Sequence, residues 1–175
     1  MSHQPTARGF TMVETVLATL LVGTVLISTL SLVGPVMRTT ELAQQQIIAQ
    51  RLADELVDEI ASQPFVDPSS SDSEDTLAPN TGERTSVRAD FDDVDDYNGW
   101  IGFPPKEKDG TTKSGLTKWA RQVKVEHVLA ADLTTSSVSA TGVKRIRVQV
   151  VRNGTLLAEE IIIRTSAWDD MRSGK

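Results

Sequence analysis

Residues 10–62 read FTMVETVLATLLVGTVLISTLSLVGPVMRTTELAQQQIIAQRLADELVDEIAS, a long segment with helical periodicity. Its first part, from Val16 to Met37, contains no charged residue and is rich in Leu, Val, Ile and Thr. About 20 residues of this kind span the hydrocarbon core of a bilayer when they are helical. The stretch therefore predicts a transmembrane helix. The apolar region of a secretory signal peptide is shorter and ends at a small-residue cleavage site, which does not fit here.

The helical pattern continues after Arg38 with a different composition. Apolar residues now recur near helical spacing among Gln, Asp and Glu, at Leu42, Ile47 or Ala49, Leu52, Leu56 and Ile60. We expect one helix from Phe10 to about Ser62, with a transmembrane half at 10–37 and an amphipathic half at 38–63. Pro64 and Pro68 would end it.

Proline also interrupts the transmembrane half, at Gly34-Pro35. Its ring crowds the carbonyl of Ser31 and it has no amide hydrogen to donate, so we expect a helix kink at these two residues.

Glu14 is an unusual residue, because it places a carboxylate just before the uncharged run and among apolar neighbours. A charge at membrane depth costs a few kcal/mol or more unless it is paired, so an acid there is by default a functional residue. The alternative is a side chain at the helix end that reaches the lipid headgroups.

The segment Arg8-Gly9-Phe10-Thr11-Met12-Val13-Glu14 resembles the N-terminal signature of type IV prepilins and type II secretion pseudopilins. This sequence and the family signature share a short polar leader with a basic residue and a Gly before the cleavage site. They also share Phe as the first residue of the mature chain and Glu as its fifth residue. The resemblance implies that residues 1–9 are a leader removed by prepilin peptidase, which cuts between Gly9 and Phe10 and methylates the new amine of Phe10. Glu14 would then be the counterion of that amine on a neighbouring subunit.

The amphipathic half is similar to that of minor pseudopilins and minor pilins, and the chain lacks the cysteine pair of many major pilins. The resemblance implies a structural subunit of a type II secretion pseudopilus or a type IV pilus. Its expected partners are prepilin peptidase, other pilin or pseudopilin subunits and the inner-membrane assembly platform. Its expected location is the bacterial inner membrane, as a single-pass protein with a periplasmic C-terminal domain. The alternative is a single-pass anchored binding protein that is never polymerised.

Residues 64–115 are rich in turn-forming Pro, Gly and Ser and predict a long loop over the surface of a globular domain at 64–175. The loop contains the sequence FDDVDDYNGW, residues 91–100, which we call the acidic loop. Hard cations such as Ca²⁺ bind several oxygens, so the carboxylates of this loop are a possible metal site: Asp92, Asp93, Asp95 and Asp96. The spacing does not fit the EF-hand pattern, however. The alternatives are a solvated loop anchored in the core by Phe91, Tyr97 and Trp100, or a loop that binds a partner.

The region 116–167 predicts an antiparallel sheet. Apolar and polar residues alternate in part of 119–128. They alternate more clearly in 143–152, where Ile146, Val148 and Val150 lie on one face. Asn153-Gly154 is the preferred pair for a type I′ hairpin turn, and residues 156–165 return as the partner strand. A long helix followed by a loop and this sheet is an α+β arrangement, which is the layout of the type IV pilin fold.

Composition excludes several functional classes. The net charge of −6 argues against a nucleic-acid partner, and the absence of cysteine excludes disulfides and thiolate sites. Only His3 and His127 could act as imidazole bases, and His127 is expected at the surface or on an edge strand, without a second histidine beside it. We therefore expect neither an enzyme nor a required cofactor.

Overall fold

The computed structural model describes residues 9–68, 76–79 and 87–173, so Arg8, most of the leader and parts of the turn-rich loop lie outside the described residues. The chain divides after Gln44 into two compact units, Met1–Gln44 and Gln45–Lys175. Helix α1, Met12–Ser62, contributes residues to both.

Helix α1 confirms the predicted long helix. It begins two residues after the predicted start at Phe10 and ends at the predicted residue, Ser62. The Oγ1 of Thr11 accepts a hydrogen bond from the amide of Glu14 at 3.3 Å, which makes Thr11 the N-cap of the helix. The helical assignment continues through Pro35. The kink at Gly34-Pro35 stays a prediction.

The first unit presents an exposed apolar helix in which many Ser and Thr hydroxyl groups are bonded within the helix. Hydroxyl groups donate to backbone carbonyls three or four residues earlier, for example Thr15 to Met12 at 2.8 Å and Ser28 to Thr24 at 2.8 Å. Such bonds satisfy these hydroxyl donors without water. Among the described residues, α1 is the helix long and apolar enough to cross a membrane.

In the second unit, the C-terminal part of α1 packs one face into the core. The buried residues of this face are Ala49, Leu52, Ala53, Leu56 and Ile60. Of the two alternatives predicted for the first contact, Ala49 is therefore correct, whereas Ile47 is 69% exposed. Leu42, which belongs to the first unit, is also exposed.

The sheet of the second unit is antiparallel and five-stranded within the described residues. Its strands are β1 (Ile101–Gly102), β2 (Trp119–Leu129), β3 (Asp132–Ser137), β4 (Val143–Arg152) and β5 (Thr155–Thr165). The order is β1-β2-β4-β5, and β3 pairs with the last part of β2. Helix α2, Ser166–Ser173, follows β5. The predicted α+β class with a C-terminal antiparallel sheet is thus confirmed.

The hairpin between β4 and β5 turns at the predicted residues. Asn153 and Gly154 have φ angles of 49° and 81°, and a type I′ turn requires positive φ at both central positions. Asparagine and glycine adopt positive φ at a lower cost than other residues, which explains why the chain reverses at these two positions.

The core lies between α1 and the inner face of the sheet. Val123, Val125, Ile146, Val148 and Val150 from the strands meet the buried face of α1 in one hydrophobic cluster. The acidic loop closes the same cluster with its aromatic residues and Val94. The prediction that this loop runs over the surface is therefore wrong for residues 91–100.

Candidate functional site

The N-terminal candidate site is residues 9–14, which we call the assembly segment. Gly9 and Phe10 precede the helix and are exposed, with 80% of Phe10 accessible. A Cβ atom added at Gly9 would meet no atom within 4 Å in the described structure. Within the described residues, the space beside Gly9 is therefore open.

Glu14 lies in the first turn of α1, where a carboxylate interacts favourably with the helix dipole. Its side chain is exposed, and no ion pair of Glu14 is found within the described residues. Its carboxylate therefore has no intramolecular cation to neutralise it in the part of the chain that the structure describes.

The second candidate site is the acidic loop, and its aromatic anchors are where the sequence predicted them. Phe91, Tyr97 and Trp100 are all buried, and the rings of Phe91 and Tyr97 meet edge to face with centroids 4.9 Å apart. The hydroxyl of Tyr97 donates to Glu59 of α1 at 2.8 Å, and Arg88 forms an ion pair with the same carboxylate. These contacts fix the loop against the helix.

Three of the four acids of this loop are buried, which corrects the interpretation of a solvated acidic loop. Asp93, Asp95 and Asp96 are each at most 5% exposed. Buried carboxylates need hydrogen-bond donors, and the loop supplies its own amides. Asp96 Oδ2 accepts from the amides of Asp92 and Asp93 at 2.8 and 3.2 Å, and Asp93 Oδ1 accepts from those of Asp95 and Asp96.

The structure does not bring the four predicted metal ligands together as one set. Asp95 Oδ2 pairs instead with the ammonium of Lys144 at 2.8 Å, and Lys144 is completely buried. Carboxylate oxygens of Asp92 and Asp93 lie within 4.8 Å of each other and of an oxygen of Asp67. Asp67 was absent from the predicted set because it precedes the loop by more than 20 residues.

Electrostatic repulsion is concentrated at these carboxylates. Burial, together with the charges of Asp96 and Asp95, raises the pKa of Asp93 to about 7. Burial and the charges of Asp67 and Asp96 also raise the pKa of Asp92, whereas Lys108 acts in the opposite direction. Burial is thus the first cause of both raised pKa values, and neighbouring carboxylates are the second.

Four buried polar residues on the inner face of the sheet were missed by the sequence analysis: Arg121, His127, Lys144 and Arg164. The prediction of a surface or edge position for His127 is wrong. His127 continues the inward series of Val123 and Val125 on β2 and is 2% exposed. The period-2 pattern could have found all four, since each shares its face of the strand with valine or isoleucine that packs in the core.

Comparison of the chain with models of known protein families, with characterised proteins and with solved structures finds no match. The N-terminal motif and the geometry are therefore the grounds on which a function can be proposed.

Proposed function

We propose that the chain is a structural subunit, a minor pseudopilin or minor pilin, of a type II secretion pseudopilus or a type IV pilus. In this proposal prepilin peptidase removes residues 1–9, the new amine of Phe10 is methylated, and the subunit enters a helical filament from the inner membrane. The observation that carries the proposal is the exposed Glu14 carboxylate, which has no ion-pair partner within the described residues, in the first turn of an exposed apolar helix.

The fold is compatible with this function. A long N-terminal helix, apolar in its first part, packs its second part on an antiparallel sheet. In this proposal, the exposed apolar helix of the first unit contacts lipid or other helices. The hydrophobic core lies within the second unit. Residues of the core cluster begin at Ala49, inside the second unit.

The chemistry of the assembly segment supplies the docking step. Cleavage after Gly9 would create a cationic amine on Phe10, and a buried cation is tolerated when an anion pairs with it. Glu14 of a neighbouring subunit is available as that anion. The pairing would set the axial register between adjacent helices, because the amine and the carboxylate must lie at the same depth.

Intact-mass measurement of protein extracted from membranes tests the proposal. Expression in cells that contain prepilin peptidase should yield a chain that lacks Met1–Gly9 and carries one additional methyl group. The matched control is Gly9→Val, whose side chain hinders access of the backbone to the protease cleft and should leave the chain full-length. A full-length, unmethylated wild-type chain in such cells would instead support a membrane-anchored binding protein that is not polymerised.

A further inference from the structure

We propose that a cavity around Arg147, on the outer face of the sheet, binds the carboxylate of an acidic side chain on a partner protein. The outer face is the one turned away from α1. The cavity has a volume of about 390 Å³, and its walls come from the end of the acidic loop and from β1, β2 and β4. It lies entirely within the second unit, so the site is independent of the proposed cleavage and filament function.

The strand register directs Arg147 away from the core. On β4, Ile146 and Val148 are buried in the hydrophobic cluster, so the residue between them points to the opposite face of the sheet. Arg147 is paired with Lys124 of β2 on one side and with Ile161 of β5 on the other. Three paired strands therefore fix the position of Arg147 at the cavity.

The guanidinium of Arg147 has hydrogen-bond donors to offer. Its Nε is buried and has no hydrogen-bond partner within the described residues. Its Nη1 lies 4.0 Å from the carboxylate of Glu159, which is beyond hydrogen-bond distance. Glu159 already accepts a hydrogen bond from the side-chain amide of Gln149. By contrast, Arg145 on the same face donates to Glu126 at 2.8 Å and to two backbone carbonyls.

Two cations lie directly opposite each other at this cavity. Lys124 and Arg147 are partners in the register of β2 and β4, and like charges in such a position repel each other. Lys124 pairs with Glu126 at 2.7 Å, but Arg145 uses the same carboxylate. The three cations thus share Glu126 and the more distant Glu159, although the whole chain has a net charge of −6. An anion bound between Lys124 and Arg147 would relieve their repulsion.

The surroundings of the two cations favour a single carboxylate on a protein segment. A nucleic acid would need a longer row of cations than Lys124 and Arg147 provide. The planar fork of a guanidinium matches one carboxylate through two parallel hydrogen bonds. Ile101 of the cavity wall is 65% exposed and Ile161 is 46% exposed, and an arginine among exposed apolar side chains is typical of protein interfaces. We therefore expect the partner to present a Glu or Asp flanked by apolar residues.

Fluorescence anisotropy with the full chain in detergent tests the site. The probe is a short, fluorescently labelled peptide of alternating Leu and Glu with an amidated C-terminus. The control is the same peptide with Gln in place of Glu. The Glu peptide should bind at least about tenfold more tightly, because hydrogen bonds from a guanidinium to a carboxylate are charge-assisted. Acetate and phosphate should displace it only at concentrations far above that of the peptide, since neither contacts the apolar side chains.

Substitutions of Arg147 separate carboxylate binding from apolar contact. Arg147→Gln should weaken binding of the Glu peptide by about tenfold or more and leave binding of the Gln peptide unchanged. Arg147→Lys keeps the charge without the planar fork, so it should retain part of the preference. The urea midpoint of Arg147→Gln should stay near that of the wild type, because the lost ion pair is long and partly exposed. The matched control is Arg51→Gln, a highly exposed position on α1 outside the cavity, which should bind both peptides as the wild type does.

Three results would overturn the site. The first is a wild-type chain that binds the Glu and Gln peptides equally, or binds neither at about 1 mM. The second is an equal affinity of the wild type and Arg147→Gln for the Glu peptide. The third is displacement of the peptide by acetate or phosphate at the concentration of the peptide itself, which would assign the cavity to a small free anion.

Discussion

At the scale of single residues, Glu14 tests the proposed assembly directly. Glu14→Leu should leave cleavage after Gly9 largely intact, but should reduce incorporation into a filament by about tenfold or more, because the amine of Phe10 loses its counterion. The measurement is the fraction of the subunit found in sheared or purified filaments. Glu14→Asp keeps the charge and should retain part of the incorporation. Filament incorporation of Glu14→Leu at the wild-type level would refute the pairing.

Glu126 on β2 predicts a pH dependence of stability. Lys124 and Arg145 lie 2.7 and 2.8 Å from its carboxylate, and their hydrogen bonds lower the pKa of Glu126 to about 2. A lowered carboxyl pKa stabilises the folded state above the ordinary value of about 4.5, and this contribution is lost as the pH falls through about 2.

Glu126→Gln should therefore lower the free energy of unfolding by about 1 kcal/mol at pH 7, since the pair is partly exposed, and by almost nothing near pH 2. Urea unfolding at both pH values measures the difference. A penalty that is the same at the two pH values would show that packing, and not charge, explains the effect.

Much of the residue-level detail follows from the sequence, but the polar partners do not. The aromatic anchors Phe91, Tyr97 and Trp100 are buried as predicted, because large apolar side chains in a turn-rich region need a core. The pair of Lys144 and Asp95 joins β4 to a loop about 50 residues earlier. Local patterns carry no information on contacts at such separation, so the pairing of Asp95 with Lys144 could not be predicted from them.

At the scale of elements, the register of α1 on the sheet can be tested with two matched substitutions. Leu56→Ala removes a fully buried side chain and should lower the free energy of unfolding by about 3 kcal/mol. Ile47→Ala removes a side chain that is 69% exposed and should change it by less than about 0.5 kcal/mol. Chemical denaturation of the two variants checks both values. Equal losses would contradict the observed helix face.

The elements that the sequence predicts well are those with a strong repeating pattern. Helix α1, strands β2, β4 and β5 and the Asn153-Gly154 turn are all found at the expected residues within one or two positions. Strand β1 has two residues, too few for any pattern, and β3 reads DLTTSS, which has no apolar face. Helix α2 covers eight residues directly after β5. These elements form through pairing and packing with their neighbours, not through local preference.

At the scale of the whole molecule, the second unit should fold without the first. All buried residues of the hydrophobic cluster lie between Ala49 and Ala158, so removal of residues 1–44 deletes none of them. A fragment of residues 45–175 should be soluble without detergent and unfold in one cooperative transition. Circular dichroism and fluorescence should report the same midpoint. Separate midpoints, or exposed apolar surface that binds a hydrophobic dye, would show that the core depends on the first unit.

The internal hydrogen bonds of the hydroxyl groups in the first unit have a consequence for how the subunit could move between environments. Thr15, Ser28 and related side chains hold their bonds within one helix, so those bonds are the same beside lipid tails as beside another protein helix. Transfer from bilayer to filament would then break none of them. In the proposed assembly, Glu14 and the amine of Phe10 exchange polar partners on leaving the membrane, whereas these hydroxyl bonds need not change. A return of the subunit to the bilayer would leave the same bonds intact.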